Sequence, residues 1–146
     1  MRRWLLSFGL ASCLWATPTL ASRATGLQAS IYLGADYWLT QQGIFSFTAS
    51  LRAPIVPRQF SVGARFGGMF LTPTTGGIPV DLHLRLDISE FYLDGLVGPW
   101  FLFTTAPVRV HAGGGFGWQR GIIMVGLEAG WLAPSALLGL RVGFRL

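Results

Sequence analysis

His83 and His111 are the first residues to weigh for chemistry, because imidazole is the side chain whose ordinary proton affinity lies near neutrality. Neither belongs to a metal-ligand spacing such as His-Glu-x-x-His, and no serine or threonine nucleophile can be set beside either of them from sequence. Both fall on the polar side of an alternating segment, where an interior imidazole is expected to be hydrogen-bonded and structural. The single cysteine, Cys13, lies in an N-terminal apolar run and leaves no thiol for the rest of the chain. Catalytic residues, metal and cofactor are therefore all expected to be absent. What remains is charge: isolated arginines and six carboxylates with no lysine, which can pair with one another but form no basic run of the kind nucleic acid requires.

The elements that must position these charges begin after the first two dozen residues. Arg2 and Arg3 precede the apolar run Trp4 to Ala16, and Thr19-Leu20-Ala21 offers small residues at a cleavage point before Ser22, the layout of a secretory signal peptide. Residues 1–21 are read as that peptide and 22–146 as one barrel domain. Leu10-Ala11-Ser12-Cys13 resembles a lipoprotein box and Arg2-Arg3 a twin-arginine signal, and both are minor readings beside the plain secretory signal. Residues 22–146 carry nine arginines against six carboxylates, a net charge of +3, yet the whole chain is 51% hydrophobic with a mean hydropathy of +0.51. No uncharged stretch of residues 22–146 is long enough for a membrane-spanning helix, and a closed barrel is the other structure that satisfies every backbone group in lipid.

Alternation with a period of two runs from Leu27 to the last residue, a pattern that a helix would scatter onto opposite sides. Phe45, Phe47, Ala49 and Leu51 alternate with Ser46, Thr48, Ser50 and Arg52. Val80 to Ser89 and Leu138 to Leu146 repeat the rule with Asp81, His83, Arg85, Asp87 and with Arg141, Arg145 on the polar side. Weaker versions cover 27–38, 60–71, 91–103, 108–118 and 122–132. Turn signals separate them at Gln41 to Gly43, Ala53 to Gln59, Thr72 to Pro79, Ser89-Glu90, Thr104 to Pro107, Gln119 to Gly121 and Ala133 to Ser135. The fold expected is all-β, an antiparallel up-and-down transmembrane β-barrel of about eight strands. Six of the seven prolines after residue 22 fall in the connections, and Pro99 predicts a bulge or break in the fifth strand.

The polar set is mostly Gly and Ser with single charges between, which suits a narrow lumen better than a solvated exterior. Threading the strands with both termini periplasmic brings Tyr37, Phe45, Phe70, Phe101, Phe103 and Trp131 to one height and Phe60, Phe91, Trp118 and Phe144 to another, as two girdles flanking a bilayer would be. Outer-membrane lipid is the partner this implies, with the outer membrane as location; a soluble periplasmic lipocalin-like binding barrel is the alternative. The arginines would fill the lumen, and the outer loops, Leu39 to Gly43, Thr72 to Pro79, Thr104 to Pro107 and Ala133 to Ala136, are short and uncharged.

In this pattern the chain resembles the small eight-stranded outer-membrane barrels of the OmpA and OmpX type, a likeness of architecture over nearly all of residues 22–146. It implies recognition by the barrel insertion machinery through the C-terminal strand, although the chain ends Val142-Gly143-Phe144-Arg145-Leu146 where such barrels usually end in an aromatic residue. Two families of lipid A-modifying enzymes, deacylases and palmitoyltransferases, use barrels of this size, so an enzyme is a further alternative. The deacylases carry His-x-Ser; here the histidines read His83-Leu84-Arg85 and His111-Ala112-Gly113.

Turn geometry then fixes who faces whom. A turn at Ser89-Glu90 sets Arg85 opposite Asp94. A turn at Gln119-Arg120 pairing Trp118 with Gly121 sets His111 opposite Glu128, and a loop Ala133 to Ala136 pairing Leu132 with Leu137 sets Glu128 opposite Arg141. The expected lumen network is thus His111, Glu128 and Arg141, with Arg85 and Asp94 as a second pair. Its expected role is structural: to hold the barrel together and plug it.

Overall fold

A computed structural model describes residues 26–40 and 42–146; the expected signal peptide, its cleavage after Ala21 and Cys13 lie outside the described residues. The alternating segments form eight antiparallel strands: β1 Gln28–Trp38, β2 Gln42–Val56, β3 Phe60–Leu71, β4 Thr75–Ile88, β5 Phe91–Leu102, β6 Val108–Arg120, β7 Ile123–Leu132 and β8 Ser135–Arg145. Each pairs with its neighbours in sequence, and β1 pairs with β8, so the sheet closes as an up-and-down barrel. Closure leaves no strand edge without a partner. Because the strand number is even, Gly26 and Leu146 share one end with the turns Pro57–Gln59, Ser89–Glu90 and Gly121–Ile122; this is called the terminal end, and the opposite one the far end.

The two-residue period sorts side chains by face. Phe45, Phe47, Phe70, Phe101, Phe103, Trp131, Phe91, Trp118 and Phe144 all point outward and are exposed, amid exposed leucine, valine and isoleucine. The polar set points inward. Its bulky members have room because a glycine often lies opposite: Tyr32 faces Gly143, Tyr92 faces Gly117, Asp36 faces Gly139, and Arg141 lies between Gly34 and Gly126. A Cβ on Gly143 would stand only 2.8 Å from Tyr32 Cε1, so that glycine is required by the ring beside it.

Several boundaries differ from those read in the sequence. Strand β2 runs through Pro54 to Val56 and bulges between those two residues, and β4 begins at Thr75, so the connections there are shorter than expected. Pro54 and Pro79 consequently lie in strands. Pro99 neither breaks nor bulges β5, which stays continuous against β6 through the pair Pro99–Val110. Its missing N–H shows instead on the other side: pairing between β4 and β5 lapses at Val80–Asp81 and resumes at Leu82–Val97 without changing register.

Candidate functional site

Inside the barrel the side chains stack in layers. At the far end Trp38, Ile44, Met69, Leu71, Trp100, Leu102, Leu132 and Leu137 form a buried apolar cluster drawn from six strands. The Trp38 indole donates to the Leu132 carbonyl at 2.8 Å, and the Trp100 indole donates to Asp81 Oδ1 at 3.0 Å, so neither ring buries an unmet N–H. Trp100 therefore joins the apolar plug to the charges beneath it.

The next layer is ionic and centres on Arg65 and Glu128. Arg65 donates to Asp81 Oδ2 from Nη2 at 2.8 Å and to Glu128 Oε2 from Nη1 at 2.7 Å, a planar fork shared by two carboxylates. Glu128 Oε2 also lies 3.1 Å from Arg141 Nε, and Oε1 lies 3.6 Å from His111 Nε2. His111 Nδ1 is 2.7 Å from Asp81 Oδ1, and Arg141 Nη1 donates to Asp36 Oδ1 at 2.6 Å. Arg65, Asp81, His111, Glu128, Arg141 and Asp36 thus form one connected set contributed by β3, β4, β6, β7, β8 and β1.

Below it lies a second set. Arg85 grips Asp94 with two bonds of 2.6 Å, Nε to Oδ1 and Nη2 to Oδ2, while its guanidinium carbon sits 4.0 Å from the Tyr92 ring centroid. Asp94 Oδ1 is also 3.0 Å from His83 Nε2, and His83 Nδ1 is 2.7 Å from Ser50 Oγ. Between the two sets a cavity of about 10 Å³, lined by Tyr32, Arg65, His83, Tyr92, Asp94, Glu128 and Arg141 among others, is about the size of one water molecule.

Arg85 and Asp94 stand opposite each other, the register expected from the Ser89–Glu90 turn. The other two registers require correction. Glu128 faces Gly115 on β6 and Gly139 on β8, while His111 faces Leu132 and Arg141 faces Gly126. The β6–β7 turn lies at Gly121–Ile122, where Gly121 takes φ +61°, a left-handed value that glycine adopts without strain; β6 therefore runs two residues further than expected and the register shifts by four. The β7–β8 turn is Ala133–Pro134 alone, with Leu132 opposite Ser135, a shift of two. Glu128 still lies between His111 and Arg141, but it reaches them diagonally past glycines.

The sequence reading omitted Arg65, Asp81, Asp36 and Ser50 from the network. Arg65 and Asp81 are direct cross-strand partners, a relation hidden by the overlong Thr72 to Pro79 loop; a three-residue turn at Thr72–Thr74 yields it. The contacts of Arg65 with Glu128 and of Asp81 with His111 cross the lumen between strands that do not pair, so no strand register could have given them.

No family model and no curated protein matches this chain. Among the solved structures that share its fold are two designed barrels. One, titled "De novo design of transmembrane beta-barrels", has a TM-score of 0.65 at 11% identity over 82% of this chain and 95% of that one. The other, the solution NMR structure of the de novo designed TMB2.3, has a TM-score of 0.61 at 13% identity, covering 82% and 94%. The chain is thus an all-β, closed eight-stranded antiparallel barrel that resembles transmembrane barrels.

Proposed function

We propose that the protein is an outer-membrane β-barrel with a structural or interaction role, delivered by a cleaved signal peptide over residues 1–21 and embedded in outer-membrane lipid. The observation that carries this reading is the lumen: an apolar plug over two connected ionic sets, with only about 10 Å³ between them. Such an interior offers ions no path through from one end of the barrel to the other. The outward face, with exposed aromatics toward both ends and aliphatics between, supports lipid as its surroundings. The distribution of charge supports both termini being periplasmic. Arg58, Glu90, Arg120 and Arg145 lie exposed at the terminal end, whereas the far-end connections carry no charged residue and are the cheaper ones to carry through a bilayer. Recognition by the insertion machinery would then fall to β8, with Phe144 as its last outward aromatic.

A second reading, a lipid A-modifying hydrolase, gains one observation: Ser50, His83 and Asp94 stand in hydrogen-bond and ion-pair sequence, the residue types of a hydrolytic triad. Against it, Ser50 and His83 are each only 1% exposed, Asp94 is already clamped by Arg85, and all three face the closed lumen instead of the lipid surface. We read them as a structural chain.

The test is expression followed by fractionation. The barrel is expected in the outer-membrane fraction, to migrate faster on SDS gels unless boiled, and to add no conductance steps to a planar bilayer. Release with the periplasm would instead support the soluble lipocalin-like barrel. A change in the lipid A mass profile that disappears in Ser50→Ala would establish the enzyme.

A further inference from the structure

Among the described residues four arginines are buried in the lumen, and three of them have a carboxylate within 2.6–2.8 Å: Arg65, Arg85 and Arg141. Arg52 is the exception. It is 1% exposed, its Nη2 donates to Ser30 Oγ at 3.2 Å, and Nε and Nη1 have no hydrogen-bond partner among the described residues. Ser61, also 1% exposed, has an Oγ with no partner among them either. The two lie close: Arg52 pairs with Gly63 and Pro54 with Ser61, so Ser61 is the diagonal neighbour of Arg52 on the inward face, and Ser61 is in turn opposite Arg85.

An unpaired guanidinium is among the costliest groups to enclose, and orphaned buried donors call for a water or an ion. Here the carboxylates that could neutralise Arg52 are engaged elsewhere. Asp94 is held by Arg85, and Asp87 accepts from Gln119 Nε2 at 2.9 Å. Gln119 in turn accepts from Arg145 Nη2 at 2.6 Å, so Arg145, Gln119 and Asp87 form a strap of hydrogen bonds from β8 through β6 to β4 near the terminal end. The apolar cluster closes the far end and the strand wall encloses Arg52, so approach is from the terminal end, where this strap lies.

We propose that Arg52 and Ser61 form a binding site for a small inorganic anion, of the size and donor preference of phosphate, admitted at the terminal end of the lumen. The guanidinium supplies charge and the N–H donors, and the Ser61 hydroxyl supplies a further donor, a combination that suits an oxyanion better than water. This site rests on the closed lumen and not on which membrane surrounds the barrel.

The experiment is a phosphate titration of the refolded full barrel in zwitterionic micelles, with ionic strength held constant by potassium gluconate, an anion too bulky to enter. The readout is the urea midpoint of unfolding. Phosphate is expected to raise the midpoint saturably, the response to vanish in Arg52→Gln, to need at least tenfold more phosphate in Ser61→Ala, and to persist unchanged in the exposed-surface variant Arg58→Gln. A parent midpoint that follows phosphate no better than gluconate overturns the proposal and assigns the orphaned donors to water. If Arg52→Gln does not fold, Ser61→Ala decides alone, and an undiminished response there also overturns it.

Discussion

Replacing Arg65 by methionine is the perturbation that should hurt this barrel most. The guanidinium makes four hydrogen bonds, two to Asp81 and two to Glu128, with distances from 2.7 to 3.2 Å, and the residue is 4% exposed. Methionine restores much of the volume and none of the charge. Asp81 would keep His111 at 2.7 Å and Trp100 at 3.0 Å, and Glu128 would keep Arg141 at 3.1 Å, so neither carboxylate is left wholly without a partner. Removing one member of a buried pair costs about 3–5 kcal/mol, and the remaining contacts hold the loss near 4 instead of letting two such penalties add. With a urea dependence of about 2 kcal/mol per molar, the midpoint should fall by about 2 M. Arg58→Met, on an exposed turn, should change stability by no more than about 0.5 kcal/mol. Adding Glu128→Gln to Arg65→Met should cost at least about 2 kcal/mol less than the sum of the single losses, since one orphan charge is removed with its partner. An Arg65→Met barrel within about 1 kcal/mol of the parent, or strictly additive losses, would show that the ionic layer does not act as a unit.

Three further outcomes are expected. Arg141→Ala frees both Asp36 and Glu128 from their shared cation and should unfold in SDS at a clearly lower temperature than the parent, read as the loss of the fast-migrating band on heating. Arg85→Lys keeps the charge but cannot span both Asp94 oxygens, so about 1–3 kcal/mol should be lost in urea titrations although the substitution is nominally conservative. Gly139→Ala would set a Cβ 2.6 Å from Asp36 Cγ and should cost about 1–3 kcal/mol, whereas Gly68→Ala, with nothing within 4 Å of its new Cβ, should lose no stability.

The fold was legible because a half-apolar strand announces its two faces at every second residue, and eight such strands with short connections leave few topologies open. The Arg85–Asp94 pair was legible for the same reason, since a two-residue turn at Ser89–Glu90 transmits its register directly along the hairpin. Turns without a decisive signal carried less. Gln119, Arg120 and Gly121 can each close a hairpin, and the selection of Gly121–Ile122 moved Glu128 from opposite His111 to opposite Gly115. Parity survived that slip of four, so Glu128 remained in the lumen. Contacts across the lumen were illegible in principle: Arg65 meets Glu128 because the barrel closes at a given width, a property of the whole sheet and not of any hairpin.

That width also explains why the polar interior is so rich in glycine. Eight strands enclose a space that side chains fill, so an arginine can lie across it only if the facing positions give way. Arg141 lies between Gly34 and Gly126, and Glu128 between Gly115 and Gly139. Bulk beside glycine lets long charged side chains lean across the lumen and meet strands far around the ring, turning pairwise register into a connected set. Substituting those glycines by serine would keep the polarity of the face while forcing the charges back against their own strands. A lumen built this way is specified by where it lacks side chains as much as by where it has them. Its charges are then committed to one another, with Arg52 the exception among the four arginines buried in the described residues.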